Sequence, residues 1–353
     1  MADGTAPRRR GLTKTHTRLL GAAGSIAVVV AVFVFVLPQV ANYRDVLDVV
    51  RTLGWEDWLV LAGAVALNLA TFPPPWMAAL PGLGFREAMA MTQASTALSI
   101  VSPAGAAVGM AASYSMLRSW KFGAGAVGLA VAVTGIWNQL ANLAFPVVAL
   151  ALLTSQDEDH PALRTAALVG VAVLVVVLTS FVLVLSRPRR ARSIGDLAAR
   201  IASFVLRVVG RPRVTWGGES FARFRAGALD LLRRRWHVIT VTTLVGHLTV
   251  FVLLLVCLRV IGVTASEVTA IEAFAAWALV RILGALPLTP AGVGVVEVGL
   301  TGALVAFGAP NAEAVAATLL YRALTVFPTL ALGLLAAATW RTHQPGDSIG
   351  SAE

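Results

Sequence analysis

The chain has 353 residues, of which 58% are hydrophobic and only 13% are charged, and its formal net charge is +10. Soluble domains carry about 25% charged residues, so this composition excludes an ordinary soluble domain and predicts an integral membrane protein. A bilayer core needs roughly 20 consecutive apolar residues to be crossed by a helix. Six segments meet that requirement: 19–37, 57–80, 124–153, 163–186, 237–262 and 311–340.

Positive charge is concentrated in two places along the chain. Residues 1–18 form a basic N-terminus, and the stretch 187–235 contains thirteen arginines but only three acidic residues. Lys and Arg accumulate on the cytoplasmic side of membrane proteins. We therefore expect a multi-pass protein of the bacterial inner membrane with both termini in the cytosol. Residues 19–340 are expected to form a single membrane domain, followed by a disordered tail over 341–353.

The Arg-rich cytosolic segment 187–235 favours anionic lipid headgroups as its partner over nucleic acid, because it lies between two spans. Within it, residues 194–208 place apolar side chains on one helical stripe and polar side chains on another. This pattern predicts a helix at the inner membrane interface. A surface helix that only connects two halves of the protein is an equally good interpretation. Residues 42–53 show a similar pattern and predict a short helix at the outer interface.

Two further apolar segments, 86–119 and 266–308, are interrupted in the middle by matching turns. The turns are Ser102-Pro103-Ala104-Gly105 and Thr289-Pro290-Ala291-Gly292, which lie 187 residues apart. At the same offset, a unit of helix, broken hairpin and helix repeats over about 57–153 and 237–340. The charge pattern gives the two units opposite orientations, so the sequence predicts an inverted-topology repeat. The hairpins are expected to be re-entrant, although two thin spans would satisfy the same charge pattern.

The two turns are candidates for a binding site. Ser102 and Thr289 are favourable helix N-caps, and Pro103 and Pro290 suit the first helical position. The second arm of each hairpin should therefore begin at its turn and present unpaired amides to an anionic group. Gly105, Gly292 and Gly294 would let a ligand approach the backbone closely. The alternative is a hairpin of small residues that only packs tightly against neighbouring helices.

Three ionisable residues, Arg281, Glu297 and Arg322, lie within apolar sequence of the second half. A charge at the centre of a membrane helix costs about 2.5–3.5 kcal/mol on insertion scales, so such residues usually face partners or a cavity. Glu297 is expected to pair with one arginine, which leaves the other available for a phosphate in a bidentate contact. A buried structural ion pair is the alternative. His247 is expected to form hydrogen bonds between helices.

Signatures of catalysis are absent from the sequence. The five histidines show no metal-ligand spacing, and neither a phosphate-binding P-loop nor a nucleophile elbow is found. We therefore expect no enzymatic activity, no metal and no cofactor.

The stretch from Leu286 to Glu297, with the pair Tyr321-Arg322 downstream, resembles the lysylphosphatidylglycerol synthase transmembrane-region family, also called flippase-like. Family members typically show Pro-x-Thr-Pro-Gly-Gly-x-Gly-x-x-Glu followed by Tyr-Arg, and here Ala291 replaces the first glycine of the Gly-Gly pair. The resemblance covers most of residues 19–340. It implies a membrane domain that, in the fused enzymes, moves aminoacylated phosphatidylglycerol between leaflets. The cytosolic stretch 187–235 is too short and too Arg-rich for a soluble aminoacyl-transfer domain, so we do not expect the synthase activity of the fused enzymes.

The sequence therefore predicts an all-α membrane protein that moves an anionic phospholipid or lipid-linked molecule between leaflets. Its expected site residues are Ser102, Pro103, Gly105, Arg281, Thr289, Pro290, Gly292, Gly294, Glu297, Tyr321 and Arg322. Two alternatives remain open at this stage. One is a non-transporting partner or regulator of a cell-envelope lipid enzyme, and the other is an ion-coupled transporter of a small anion. The oligomeric state is not readable from the sequence.

Overall fold

The computed structural model describes residues 48, 50–102, 105–156, 161–208, 217–285 and 292–339, and the regular structure in these ranges is helical. We number the eleven helices from Trp55 onward. They are α1 (Trp55–Ala70), α2 (Pro73–Ala79), α3 (Phe85–Val101), α4 (Gly105–Ser119), α5 (Ala124–Gln156), α6 (Pro161–Ser186), α7 (Pro188–Val208), α8 (Gly218–Ile261), α9 (Ala270–Ala285), α10 (Val295–Phe307) and α11 (Asn311–Thr339).

Five stretches within the described residues are long and apolar enough to cross a membrane. They are Trp55–Ala79, Ala124–Ser155, Thr165–Leu183, Gly218–Ile261 and Asn311–Ala336. Five of the six predicted spans are thereby confirmed, and the protein is a multi-pass membrane protein. The first predicted span, 19–37, lies outside the described residues, as do the tail 341–353 and most of the predicted interface helix 42–53.

Each broken segment contains two helices, as predicted. The first hairpin is formed by α3 and α4, which pack against each other, and the second by α9 and α10. A methyl group placed on Gly109 of α4 would lie 3.0 Å from the Ser95 carbonyl oxygen of α3, so glycine permits the close approach of these arms. At the open end of the second hairpin, a methyl group on Gly308 would lie 2.8 Å from the Glu267 carbonyl oxygen.

Helix α9 begins at Ala270 because the preceding backbone is capped by side chains. Thr269 Oγ1 accepts a hydrogen bond from the Glu272 backbone N–H (3.2 Å), and Glu272 Oε2 accepts one from the Thr269 N–H (2.7 Å). This reciprocal arrangement is a capping box. Just upstream, the Thr264 backbone N–H donates to Glu267 Oε2 at 2.7 Å, and this contact holds the pKa of the exposed Glu267 carboxyl below its usual value.

The core consists of two clusters at opposite ends of α5, α8 and α11. One cluster contains Phe145 of α5, Leu254 of α8 and Val315 of α11, together with residues of the second hairpin. The other contains Val127 of α5, Ile239 of α8 and Ala336 of α11, together with residues of the first hairpin. The two hairpins therefore pack at opposite ends of the same three long helices.

Pairs of helices that correspond at the 187-residue offset make equivalent contacts in the two units. The first arm of each hairpin packs on the long helix of the other unit, α3 on α11 and α9 on α5. The second arms also match, since a methyl group on Gly135 of α5 would lie 3.9 Å from Met110 Sδ of α4. Met110 and Gly135 lie 187 residues before Glu297 and Arg322, which are in contact between α10 and α11.

Helices α1 and α8, which correspond at the same offset, run antiparallel. Asn68 Nδ2 donates to Thr249 Oγ1 at 3.2 Å. Thr71, three residues after Asn68 in the chain, lies close to Gly246, three residues before Thr249. The three prolines that open α2 interrupt helical hydrogen bonding just after Thr71. A methyl group on Gly246 would lie 3.2 Å from the Thr71 carbonyl oxygen, so glycine allows α8 to pass close to this break.

We expect Gly333→Ala to destabilise the protein. The added methyl group would collide with Ala97 Cβ and lie 2.7 Å from the Gln93 carbonyl oxygen, where α11 crosses α3. Overpacking of this kind typically costs about 1–3 kcal/mol. Thermal unfolding in detergent measures the effect.

The matched control for this prediction is Gly63→Ala on α1, where no atom of the described residues lies within 4 Å of the added methyl group. This control should keep or slightly raise the wild-type stability, because alanine is the better helix former. Equal unfolding temperatures for the two variants would contradict the close α3–α11 crossing.

Candidate functional site

The turn of the second hairpin is fastened to α11 by one carboxylate. Glu297 Oε1 accepts a hydrogen bond from Arg322 Nε at 2.7 Å, and Glu297 Oε2 accepts one from the Gly294 backbone N–H at 2.6 Å. The Glu297 side chain is 3% exposed and that of Arg322 is 17% exposed. Glu297 thus pairs with an arginine, as the sequence predicted, and it also caps its own helix.

The start of α10 differs from the sequence prediction. Gly294 is the N-cap and Val295 the first helical residue, whereas the predicted cap was Thr289. Gly292 and Gly294 have φ values of 67° and 85°, which favour glycine, and they turn the chain just before the helix. The Glu297 carboxylate stabilises this later start because it satisfies the Gly294 amide. Thr289 and Pro290 lie outside the described residues.

At the first turn, Ser102 follows α3 in an extended conformation, and Gly105 is already helical. An extended backbone is typical of a helix N-cap, so the conformation of Ser102 is compatible with the predicted cap. Pro103 and Ala104 lie outside the described residues, so the predicted proline at the first helical position stays a prediction. A methyl group on Gly105 would collide with the Ser99 carbonyl oxygen, which explains the need for glycine where the two arms meet.

Arg281 of α9 lies in a different environment from Arg322. Asn142 Oδ1 of α5 accepts hydrogen bonds from Arg281 Nε (3.2 Å) and Nη2 (2.5 Å), and His247 Nδ1 of α8 lies 2.8 Å from Nη2. The guanidinium carbon lies 4.7 Å from the centre of the Trp277 ring, a cation–π contact. The predicted hydrogen bond from His247 to another helix is confirmed.

Tyr321 lies near both arginines. Its side chain is buried, with 7% of the residue exposed, and its phenol is close to Arg281 and to Arg322. The structure thus brings together four of the predicted site residues, Arg281, Glu297, Tyr321 and Arg322, with Gly294 at the amide that Glu297 caps. Gly292 is buried in the adjacent turn. No contact described here joins Ser102 or Gly105 to this cluster.

Two residues that were not among the predicted site residues, Asn142 and His247, supply the hydrogen bonds that hold Arg281. Both lie in long apolar spans, where a polar side chain is costly. That cost is the feature of the sequence from which their involvement could have been predicted. Their convergence on Arg281 depends on how α5, α8 and α9 pack. Sequence spacing alone does not reveal that packing.

We expect Glu297→Gln and Arg322→Gln each to lower the free energy of unfolding by about 3–5 kcal/mol, because each breaks a buried ion pair by removing one of its two charges. The double variant should lose much less than the sum of the two single variants. Thermal or denaturant unfolding of all four proteins forms a double-mutant cycle. Strictly additive losses would show that the two side chains do not interact.

A sequence model of a known membrane family matches residues 22–333 of this chain, and that family is described as the lysylphosphatidylglycerol synthase TM region. The match includes every residue of the predicted site. No curated protein sequence matches the chain at a significant level.

Proposed function

Since the chain belongs to the lysylphosphatidylglycerol synthase transmembrane-region family and is a membrane protein related to lipid handling, we propose that it moves an anionic phospholipid or lipid-linked molecule between leaflets. The observation that carries this proposal is the cluster of Arg281, Glu297, Tyr321 and Arg322 within membrane-grade helices. Such charges in a membrane protein usually mark a substrate or ion pathway. The proposed activity is transport without covalent chemistry, cofactor or metal.

The proposal includes an inverted repeat with re-entrant hairpins. Three observations support it: the hairpins pack at opposite ends of α5, α8 and α11, equivalent helix contacts recur at the 187-residue offset, and the equivalent helices α1 and α8 run antiparallel. Binding sites of transporters built from inverted repeats typically lie between the two halves, at broken helices. The four side chains of the cluster belong to the second unit, and Asn142 of the first unit accepts the hydrogen bonds of Arg281, which fits that placement.

The charge distribution supports a cytosolic first hairpin. Its open end carries Arg86, Arg118 and Lys121, and the Arg-rich N-terminal part of α8 extends from the same end of the bundle. The opposite end carries the acidic residues Glu267, Glu272 and Glu313. By the positive-inside rule, the first end faces the cytosol of a bacterial cell.

We further propose that α7 lies at the cytosolic membrane surface and binds anionic lipids. It packs on α8 through small residues, with buried Gly195 against the Phe221 ring, and Asp196 Oδ1 accepts a hydrogen bond from the Gly218 N–H at 2.7 Å. Its apolar residues Leu197 and Phe204 lie on another face and are 51% and 65% exposed. Arg200 is exposed nearby, as expected for a helix that inserts its apolar face among headgroups. Nucleic acid is not a partner in this proposal.

The proposed transport is tested with purified protein in proteoliposomes that carry a fluorescent phosphatidylglycerol in both leaflets, quenched from outside. Wild-type protein should accelerate exchange between leaflets relative to protein-free vesicles. The Arg322→Ala variant should lower the rate at least tenfold, because the turn of the second hairpin loses its contact with α11. Arg51→Gln, which removes an exposed arginine, is the matched control and should transport normally.

Three outcomes would count against the proposed transport. Exchange no faster than in protein-free vesicles, together with copurification of an envelope-lipid enzyme, would favour the role of a non-transporting partner. Uptake of a small anion that depends on a proton or sodium gradient would favour an ion-coupled transporter. Equal rates for wild type and a folded Arg322→Ala variant would remove the proposed site.

The position of α7 is tested by the depth of probes attached to cysteine. Cys257, the single cysteine, is buried, so a Cys257→Ala background allows selective labelling of Phe204→Cys and Ser203→Cys variants, whose side chains point about 100° apart on the helix. In nanodiscs containing brominated lipids, a fluorophore at position 204 should be quenched more than one at position 203. Equal quenching at both positions would contradict insertion of the apolar face.

A further inference from the structure

The two arginines of the cluster differ in how their charge is compensated. Arg322 forms an ion pair with Glu297, whereas the groups that contact Arg281 are an amide, an imidazole and an indole ring. Within the part of the chain that the structure describes, no carboxylate is in contact with Arg281. Neutral acceptors satisfy the N–H donors of a guanidinium but leave its positive charge in place.

The hydrogen bonds of Arg281 also fix the chemical state of its neighbours. A guanidinium has no acceptor, so His247 Nδ1 must be the acceptor in this contact, and the imidazole is neutral with its proton on Nε2. The orientation of Asn142 is fixed in the same way, with Oδ1 toward Arg281 and Nδ2 donating to Gln139 Oε1 at 3.4 Å. The surroundings therefore position Arg281 without neutralising it.

These contacts occupy one side of the guanidinium. Nε and Nη2 both donate to Asn142, and Nη2 also contacts His247, whereas Nη1 has no hydrogen bond to the described residues. An anion would therefore bind end-on at Nη1. The bidentate contact expected from the sequence requires two neighbouring nitrogens of the fork to be available. Since Nε and Nη2 already donate to Asn142, we expect the end-on contact at Arg281 instead.

We propose that Arg281 is the residue that binds the phosphate of the transported lipid, and that this phosphate is a phosphodiester with a single negative charge. This inference rests on the transport function proposed above. The cluster of Arg281, Arg322 and Glu297 carries a net charge of +1 with His247 neutral, so one negative charge balances it. A phosphomonoester carries about −1.5 to −2 at neutral pH and would leave an excess of negative charge.

The sharpest variant is Asn142→Asp, because aspartate has nearly the same shape as asparagine and keeps the acceptor oxygen for both Arg281 nitrogens. It places a carboxylate against the guanidinium, so the variant should fold while its internal charge competes with the ligand. The second variant, Arg281→Gln, removes the positive charge. Arg51→Gln is again the matched control, since Arg51 is an exposed arginine that forms an ion pair with Asp48.

Binding is measured with purified full-length protein and short-chain lipids in detergent. We expect both Asn142→Asp and Arg281→Gln to raise the Kd for phosphatidylglycerol at least tenfold, and Arg51→Gln to leave it unchanged. Phosphatidylcholine carries the same phosphodiester, but its choline cation offsets the negative charge and is repelled by the positive cluster, so it should bind to the wild type at least tenfold more weakly than phosphatidylglycerol. Thermal unfolding confirms that each variant is folded.

Wild-type affinity in folded Asn142→Asp would overturn the assignment of Arg281, even if Arg281→Gln failed to fold. Tighter binding of phosphatidic acid, a phosphomonoester, than of phosphatidylglycerol would overturn the inference that the ligand is a phosphodiester with a single negative charge. These results are separable from the proposed transport. Protein that moves lipid normally with either variant contradicts this inference alone, and protein that binds phosphatidylglycerol in an Arg281-dependent way without moving it contradicts the transport function alone.

Discussion

The arrangement depends on the absence of hydrogen-bonding solvent in the bilayer core. Where a helix breaks at membrane depth, its free amides must be satisfied by the protein itself. In the re-entrant arrangement proposed above, Glu297 meets this requirement at the second hairpin, since one oxygen accepts from the Gly294 amide and the other from Arg322. The same carboxylate thus permits an interruption of the helix and holds it against α11. Both functions would be lost together if the carboxylate were removed.

The two buried arginines show how a shared environment can assign different roles to the same residue type. Arg322 belongs to the structural contact that holds the hairpin turn. Arg281 is positioned by Asn142 and His247, whose oxygen and nitrogen acceptors orient it but carry no charge. Tyr321 lies near both, so the two environments are adjacent. The difference between them is a difference in charge balance, and it arises from a single acidic residue.

Much of the fold could be predicted from the sequence because membrane spans are encoded by local composition. The spans at 124–153 and 311–340 and the broken segments at 86–119 and 266–308 correspond to observed helices and hairpins. The pairing of Glu297 with one arginine followed from the cost of isolated charge in a membrane. The choice of Arg322 over Arg281 as that partner could not be predicted, because it depends on the packing of α10 against α11. The predicted start of α10 was wrong for a related reason. Thr289 has good capping propensity, but the Glu297 carboxylate accepts from the Gly294 amide and stabilises a later start.

The neighbouring positions of Met110 and Gly135 bear on why the second unit contains a charged pair. These two residues lie 187 residues before Glu297 and Arg322, and they bring α4 close to α5 without any charge. In the inverted repeat proposed above, equivalent helices therefore meet once without an ion pair and once with one. The ion pair is then not a requirement of the packing that the two units share, and the second unit alone bears the cost of burying it.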